Sequence, residues 1–260
     1  MTAPTFRSVT FHVRRFEPER DRAPRWENHR IDVLPGMTVL DGLFELLDKQ
    51  DGSLAMRFAC REAVCGSCAM FINGAFRLAC QTQILSLGGI TPACPPGAQP
   101  LGENLSDIWV SPLPRMRVIK DLVVDMEPFF ENLARIKPYL ITKGLPPEKE
   151  RLQSPKDREL LEDATNCILC ASCHGSCPPA WLSKDYLGPA TLLKAQRFAG
   201  DSRDDAQRDH VRTTDKETGV WRCHTVFNCT EACPKCIKVT SAIQQLKKRN
   251  ALLRLKFWDR

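Results

Sequence analysis

The chain has 260 residues and a mass of 29.4 kDa, more than one hydrophobic core usually holds, so two domains are expected. Hydrophobic residues make up 43% and charged residues 26%, which excludes a disordered chain, and no apolar run approaches the ~18 residues of a membrane-spanning helix. The formal net charge of +6, taken alone, favours a nucleic-acid or anionic-membrane partner.

The first part of the chain combines strand signals with one helix. Short apolar or alternating runs predict four strands, at residues 8–16, 30–34, 68–74 and 76–82. Apolar residues at helical spacing predict a helix over 38–49, with Thr38 as its N-cap. Strands around one central helix indicate a small α+β unit.

The second part of the chain is mainly helical in its pattern. The proline-rich residues 92–100 and the segment 109–114 are predicted to be irregular connections. Helices are predicted at 121–140 (with a kink at Pro128), 189–198, 204–212 and 239–255. The change of character places the domain boundary near residue 115, which gives domains of residues 1–115 and 116–260.

Cysteine is the unusual component, with thirteen residues. Five lie between Cys60 and Cys94, and eight lie between Cys167 and Cys236. Residues 1–7 show no basic-then-apolar leader, so we expect a reducing compartment, where clustered cysteines are metal ligands rather than disulfides.

The first cysteine group has the spacing C-x4-C-x2-C, followed by a fourth cysteine twelve residues later. Its members are Cys60, Cys65, Cys68 and Cys80. This is the plant-type spacing for a [2Fe–2S] cluster, and Gly66 and Ser67 lack the bulk that would hold the loop away from it. A zinc site is the alternative, but zinc sites more often use two separated C-x2-C pairs.

The second group is the bacterial ferredoxin run C-x2-C-x2-C-x3-C-P. It comprises Cys167, Cys170, Cys173, Cys177 and Pro178. In such runs the fourth cysteine binds the other cluster of a two-cluster domain.

The third group has the same pattern with one cysteine missing. Cys223, Cys229 and Cys233 are present, and Val226 stands at the position of the second cysteine. The crossover rule then assigns a [4Fe–4S] cluster to Cys167, Cys170, Cys173 and Cys233. The remaining Cys177, Cys223 and Cys229 suit a [3Fe–4S] cluster. A degenerate run without a cluster is the alternative, with Cys223 and Cys229 as buried apolar residues.

Two cysteines remain outside these groups, Cys94 and Cys236. Both are expected to be small buried thiols, although Cys236 is close enough to Cys233 in sequence to be an alternative fourth ligand. Eleven thiolates and three oxidised cluster cores together contribute a charge of about −6. This cancels the apparent basicity, so we predict no nucleic-acid partner.

The order of the three groups resembles the iron–sulfur subunit of the succinate dehydrogenase/fumarate reductase family over nearly the whole chain. The resemblance also includes the residues between cysteines at 60–68 and 167–173, Asp-Ser-Arg-Asp at 201–204 and Trp-Arg-Cys-His at 221–224. It implies an α+β fold, in which an N-terminal β-grasp [2Fe–2S] ferredoxin-like domain precedes a mainly helical two-cluster ferredoxin-like domain.

The resemblance also implies a role and partners. Electrons would pass from FAD on a flavoprotein subunit through the [2Fe–2S], [4Fe–4S] and [3Fe–4S] clusters to quinone. Membrane-anchor subunits would hold the chain peripherally at the cytoplasmic face of the cell membrane. The sequence has no Gly-x-Gly-x-x-Gly fingerprint and no carboxylate–histidine constellation. We therefore expect a subunit of succinate dehydrogenase (quinone) that has no dicarboxylate site and no catalytic residue of its own.

In this family the quinone site lies near the three-iron cluster. The motif residues that match are Pro178, Trp181 and His224, whereas the second tryptophan of the family motif is Leu182 here. Packing against a partner is an alternative role for Trp181.

Other functions stay open at this point. The same subunit could serve a fumarate reductase that runs in the opposite direction, or another flavin-dependent oxidoreductase such as a glycolate-oxidase or heterodisulfide-reductase type. Those last enzymes pair two complete ferredoxin runs, whereas Val226 interrupts one run here. A non-enzymatic alternative is a free ferredoxin-like carrier or a zinc-stabilised adaptor.

Overall fold

The structure is a computed structural model that describes residues 7–87 and 107–258. The chain forms two compact units, Met1–Asp125 with Ile168–Gly175 and Met126–Cys167 with Ser176–Arg260. The domain boundary near residue 115 stays a prediction. The leader prediction, the connection at 92–100 and Cys94 concern residues outside the described ranges.

The first unit is built on a five-stranded mixed sheet. Its strands are β1 (Arg7–Arg15), β2 (Arg25–Val33), β3 (Ala69–Ile72), β4 (Ala75–Leu78) and β5 (Asp107–Ser111), in the order β2-β1-β5-β3-β4. β1 pairs in parallel with β5, and the other pairs are antiparallel. The helix α1 (Val39–Lys49) completes the predicted β-grasp arrangement.

The sheet and α1 bury their apolar faces together. From Val9 onward, every second residue of β1 is buried, as the alternating sequence predicts. The ring of Phe11 lies directly against Gly42 of α1, where any side chain would collide with it. Thr38 caps the helix as predicted, because its hydroxyl accepts from Asp41 N (3.2 Å) while the Asp41 carboxylate accepts from Thr38 N (2.9 Å).

Two predictions in this region are wrong. Residues 109–111 were predicted to be irregular, but they belong to β5, in the middle of the sheet. The predicted helix 121–140 is shorter, because residues before Met126 form a small hairpin of β6 (Val118–Lys120) and β7 (Val123–Val124). Asp121 makes the turn at φ +44°, held by hydrogen bonds to distant backbone.

The remaining helices in chain order are mostly short. They are α2 (Glu127–Ala134), α3 (Pro155–Glu159), α4 (Glu162–Thr165), α5 (Ser172–Gly175), α6 (Pro178–Leu182), α7 (Pro189–Ala199), α8 (Gln207–Thr214), α9 (Asn228–Glu231) and α10 (Val239–Trp258). Pro128 lies in the first turn of α2 rather than at a kink, a position where its missing N–H costs nothing. None of the helices within residues 7–87 and 107–258 has the length and apolar character needed to span a membrane.

The second unit packs around α7, which is almost entirely buried and lies against α8 and α10. The Asp-Ser-Arg-Asp motif follows α7 and has a structural role. Asp201 accepts two hydrogen bonds from the Arg203 guanidinium (both 2.9 Å), one from Arg203 N (3.1 Å) and one from Gln153 (3.1 Å). Asp204 accepts from Ile141 N (3.1 Å). Both carboxylates therefore anchor the long connection that precedes α3.

Candidate metal centres

The loop of residues 60–68 directs backbone N–H groups at cysteine sulfurs. Cys60 Sγ accepts from the amides of residues 62, 64 and 65 at 3.3–3.4 Å. Cys80 Sγ accepts from Ala63 N at 3.3 Å. Hydrogen bonds of this kind stabilise the thiolate form, which is the form that binds iron.

Nearby side chains and burial give the thiols of this loop different pKa values. A hydrogen bond from Ser67 lowers the pKa of Cys65 to about 6, whereas burial raises the pKa of Cys68 to about 12. A buried thiol beside another sulfur loses its proton only if a cation compensates the charge, and a bound metal provides that compensation. The donor set therefore fits a cluster with a positively charged iron core.

All three cysteine loops share an unusual backbone conformation. Non-glycine residues adopt positive φ at alternate positions: Arg61 and Ala63 in the first loop, Leu169 and Ala171 in the second, Thr225 and Phe227 in the third. Alternation of this kind turns successive N–H groups towards one concave side, as in the anion-binding nests of iron–sulfur sites. Each loop is therefore shaped to surround an anionic group, and a cluster together with its thiolate ligands is anionic overall.

Within the first unit, the first loop touches the second. A Cβ atom on Gly66 would lie 2.8 Å from the carbonyl oxygen of Ile168 and 2.9 Å from Cys170 Cβ. Gly66 also has φ +74°, a region that favours glycine. The absence of a side chain at Gly66 thus brings the predicted [2Fe–2S] loop against the start of the ferredoxin run.

Within the second unit, three cysteines of the predicted three-iron site lie near one another. Burial raises the pKa of Cys177 to about 11, and the charges of Cys229 and Cys223 raise it further. Burial also raises the pKa of Cys229, although a hydrogen bond with Thr240 (3.3 Å) opposes this. Buried thiols with pKa values raised in this way lose their protons together only if a cation compensates the charge, and the iron atoms of a cluster would do so.

The gap in the third loop faces solvent. Val226 is 50% exposed and the following Phe227 is 53% exposed. Cys236 is exposed, so the prediction of a buried thiol is wrong at this position. The backbone amide of Cys236 donates to Cys233 O (3.0 Å). The twelve cysteines within the described residues are all free thiols.

A single metal ion is a different kind of site. Among the residues that the structure describes, no three His, Cys, Asp or Glu side chains converge as they would on one ion. The thiolates of an iron–sulfur cluster are divided among several iron atoms, so their sulfurs lie further apart than the ligands of one zinc ion.

The predicted quinone residues flank, in sequence, cysteines of the predicted three-iron site. Pro178 and Trp181 lie on α6, which begins directly after Cys177, and His224 follows Cys223. Trp181 and His224 are exposed, and Leu182 is 83% exposed. The structure thus presents these side chains at the surface.

Two lysines contact the cysteine loops in a way that the sequence does not predict. Lys194 of α7 donates to the carbonyl oxygens of Ala164 (3.2 Å) and Cys167 (3.3 Å). Lys247 of α10 donates to Cys223 O at 2.7 Å. Their distance from the cysteines in sequence gives no local signal, since only the packing of α7 and α10 creates the contacts.

The fold and the cysteine loops define an iron–sulfur electron-transfer protein with cluster sites in both of its domains. A family of 2Fe-2S iron-sulfur cluster binding domains matches residues 10–131, and a family of 4Fe-4S dicluster domains matches residues 159–234. The chain belongs to the succinate dehydrogenase iron–sulfur subunit family, which confirms the resemblance drawn from the sequence.

Individual relatives and a solved structure agree with membership of this family. The chain is 38% identical over 239 residues to the succinate dehydrogenase iron-sulfur subunit of Paracoccus denitrificans, covering 91% of this chain and 86% of the relative. For the Coxiella burnetii subunit the identity is 37% over 243 residues, with coverage of 92% and 95%. The Mycobacterium smegmatis Sdh1 complex in the apo form contains a chain with TM-score 0.80 and 26% identity, at 95% and 97% coverage. The α+β fold, the [2Fe–2S] and [4Fe–4S] cofactors and the additional [3Fe–4S] cluster of this family follow.

Proposed function

We propose that this chain is the electron-transfer subunit of a membrane-associated succinate dehydrogenase and connects a flavin on a partner subunit with quinone. Three iron–sulfur clusters supply its one-electron carriers. The observation that carries the proposal is the contact of Gly66 with Ile168 and Cys170. Two loops of cluster-binding type, distant in sequence, are in van der Waals contact, which keeps the two proposed cluster sites close together, as electron transfer between them requires.

The ligand assignment forms part of the proposal. Cys60, Cys65, Cys68 and Cys80 hold the [2Fe–2S] cluster. Cys167, Cys170, Cys173 and Cys233 hold the [4Fe–4S] cluster, and Cys177, Cys223 and Cys229 hold the [3Fe–4S] cluster. The inward-turned amides of the loops stabilise the thiolates, and part of each ligand set is shielded from water. The buried members are Cys68, Cys80, Cys173, Cys177, Cys229 and Cys233.

The quinone end lies at the third loop. Pro178, Trp181 and His224 flank Cys177 and Cys223, and the neighbouring Leu182, Val226 and Phe227 are exposed apolar side chains. An apolar surface beside a titratable imidazole suits a hydrophobic quinone that must be protonated after reduction. Membrane-anchor subunits would cover this surface and hold the chain peripherally at the cytoplasmic face of the membrane.

The first experiment is purification of the intact complex under anaerobic conditions. Three clusters of these types contain about nine iron atoms and ten sulfides per chain, and a flavoprotein should co-purify. Electron paramagnetic resonance of the oxidised complex should show a three-iron signal. Zinc without acid-labile sulfide, or a chain that carries its clusters but never binds a flavoprotein, would contradict the proposal.

Val226→Cys tests the three-iron assignment. The added thiolate stands where a complete run has its second cysteine, so the three-iron signal of the oxidised complex should largely disappear and a second four-iron cluster should appear. Because cluster type sets the reduction potential, quinone reduction should fall at least tenfold. The measurement combines resonance spectra with succinate-dependent quinone reduction.

The matched control is Val226→Ala, which shortens the same side chain without adding a thiolate and should keep the three-iron signal. If the wild-type complex already shows two four-iron clusters, the assignment around Val226 is wrong. Cys236→Ser would then identify the alternative ligand by removing the extra iron.

A further inference from the structure

Lys194 is a cationic side chain on a helix whose other faces are almost entirely buried. Its neighbours Leu193 and Ala195 are fully enclosed, and its Nζ reaches back to the carbonyl oxygens of Ala164 and Cys167. Ala164 belongs to α4 and Cys167 lies two residues beyond the end of that helix. The ammonium group is therefore fixed against the backbone of the first cysteine in the ferredoxin run.

Within residues 7–87 and 107–258, the positive charge of Lys194 has no acidic partner. Among the residues that the structure describes, no carboxylate lies within ion-pair distance of its Nζ. The nearest candidate in sequence, Asp201, lies 3.1 Å from Arg197 and 2.9 Å from Arg203. Burial lowers the pKa of Lys194 and the charge of Arg197 lowers it further, while a negative charge on Cys167 opposes both.

We infer that Lys194 raises the reduction potential of the cluster bound by Cys167, because it places an unpaired positive charge against that ligand. This inference rests on the ligand role of Cys167 in the proposed function. Reduction adds one negative charge to a cluster, and a fixed cation nearby stabilises the reduced form. Hydrogen bonding and charge around the ligands are established determinants of cluster potential.

A purely structural role makes a different prediction. Lysine side chains commonly satisfy the free carbonyl groups at the end of a helix, and Lys194 does this for α4. If that were its whole role, replacing Lys194 would lower stability and leave the potential unchanged. The potential is therefore the measurement that separates the two roles.

The test uses the intact complex, three substitutions of Lys194 and one control substitution. Lys194→Met removes the charge, Lys194→Gln removes the charge but keeps a donor, and Lys194→Arg keeps the charge. Lys156→Met, at an exposed position on α3, is the matched control for loss of one surface lysine. A redox titration followed by electron paramagnetic resonance gives the midpoint potential of each of the three clusters.

We expect the Met and Gln variants to shift the reduction equilibrium of the [4Fe–4S] cluster about tenfold towards the oxidised form. For one electron this is a fall of about 59 mV in the midpoint potential. The Arg variant and the Lys156 control should stay close to the wild type, and the [2Fe–2S] and [3Fe–4S] potentials should not move. The neutral Gln variant keeps the test decisive if the Met variant fails to assemble.

Two outcomes would overturn the inference. One is a Gln variant with an unchanged [4Fe–4S] potential and a lower melting temperature, which is the result of a helix cap alone. The other is an equal shift in all three clusters. If the wild-type complex shows no four-iron cluster, the proposed function itself fails, which is a distinct result.

Discussion

Replacing Arg15 with methionine should destabilise the first unit by about 3–5 kcal/mol, the range for removing one partner of a buried ion pair. Arg15 is 4% exposed and Asp121 is 2% exposed, and Arg15 Nε donates to Asp121 Oδ1 at 3.0 Å. The same guanidinium donates to Glu27 (2.8 Å), to Asp51 and to Ser53 (2.8 Å). Methionine fills the space but leaves the Asp121 carboxylate buried and uncompensated.

The consequence extends beyond one ion pair, because Asp121 organises three backbone segments. Its carboxylate oxygens accept hydrogen bonds from Phe16 N (3.0 Å) and Ala55 N (2.9 Å). These bonds join the end of β1, the chain after α1 and the β6–β7 turn. Thermal loss of the visible cluster absorption, followed in the intact complex, measures the fall in the melting temperature.

Arg25→Met is the matched control, since Arg25 shares the acceptor Glu27 (2.7 Å) but is half exposed. Exposed ion pairs contribute little to stability, so this variant should melt close to the wild type. An Arg15 variant that melts as late as the Arg25 variant would show that Asp121 is compensated by its backbone donors alone.

The pH dependence of the Arg15 effect has a definite sign. The hydrogen bond from Arg15 is the main cause that lowers the pKa of Asp51, from an unfolded value of about 3.9. A carboxyl group with a lowered folded pKa contributes its full stability above the unfolded value and loses it as the pH falls towards the folded value. The difference between the wild type and Arg15→Met should therefore be constant at neutral pH and shrink below about pH 4.

Local patterns were sufficient to predict the cysteine loops, β1 and α1, and the second half of β2. The cysteine spacing is fixed by the size of the cluster, and the alternation of β1 and the capping box at Thr38 depend only on neighbours in sequence. The β-grasp and helical domains followed from the family resemblance that these motifs carry.

The features that sequence reasoning missed depend on distant partners. The turn at Asp121 replaces the start of a predicted helix because its carboxylate bonds to Arg15, Phe16 and Ala55. β5 is five residues long, and only Ile108 and Val110 show its alternation.

The nest-like conformation of the cysteine loops also could not be predicted from their composition. Arg61, Ala63 and Leu169 adopt positive φ although glycine is the usual residue there. Closure of the loop by the surrounding cysteines determines this conformation. The residue types within each loop therefore do not predict the positive φ values.

Replacing Gly66 with alanine should separate the first two cysteine loops. The new Cβ would lie 2.8 Å from Ile168 O and 2.9 Å from Cys170 Cβ, closer than real side chains approach, and both obstacles belong to the chain around predicted cluster ligands. The positive φ adds about 1 kcal/mol to the cost. We expect the integrated [2Fe–2S] resonance per chain to fall at least severalfold, and electron transfer from succinate to the remaining clusters to slow by tenfold or more.

Gly74→Ala separates the collision from the backbone penalty. Gly74 lies in the β3–β4 turn at φ +76°, nearly the same as Gly66, but a Cβ atom there would have no neighbour within 4 Å. This variant should lose about 1 kcal/mol of stability and retain its full [2Fe–2S] signal and transfer rate. Equal losses in the two variants would show that conformational strain alone explains the Gly66 effect. Since the contact of Gly66 with Ile168 and Cys170 is the observation on which the electron path rests, that result would remove its structural support.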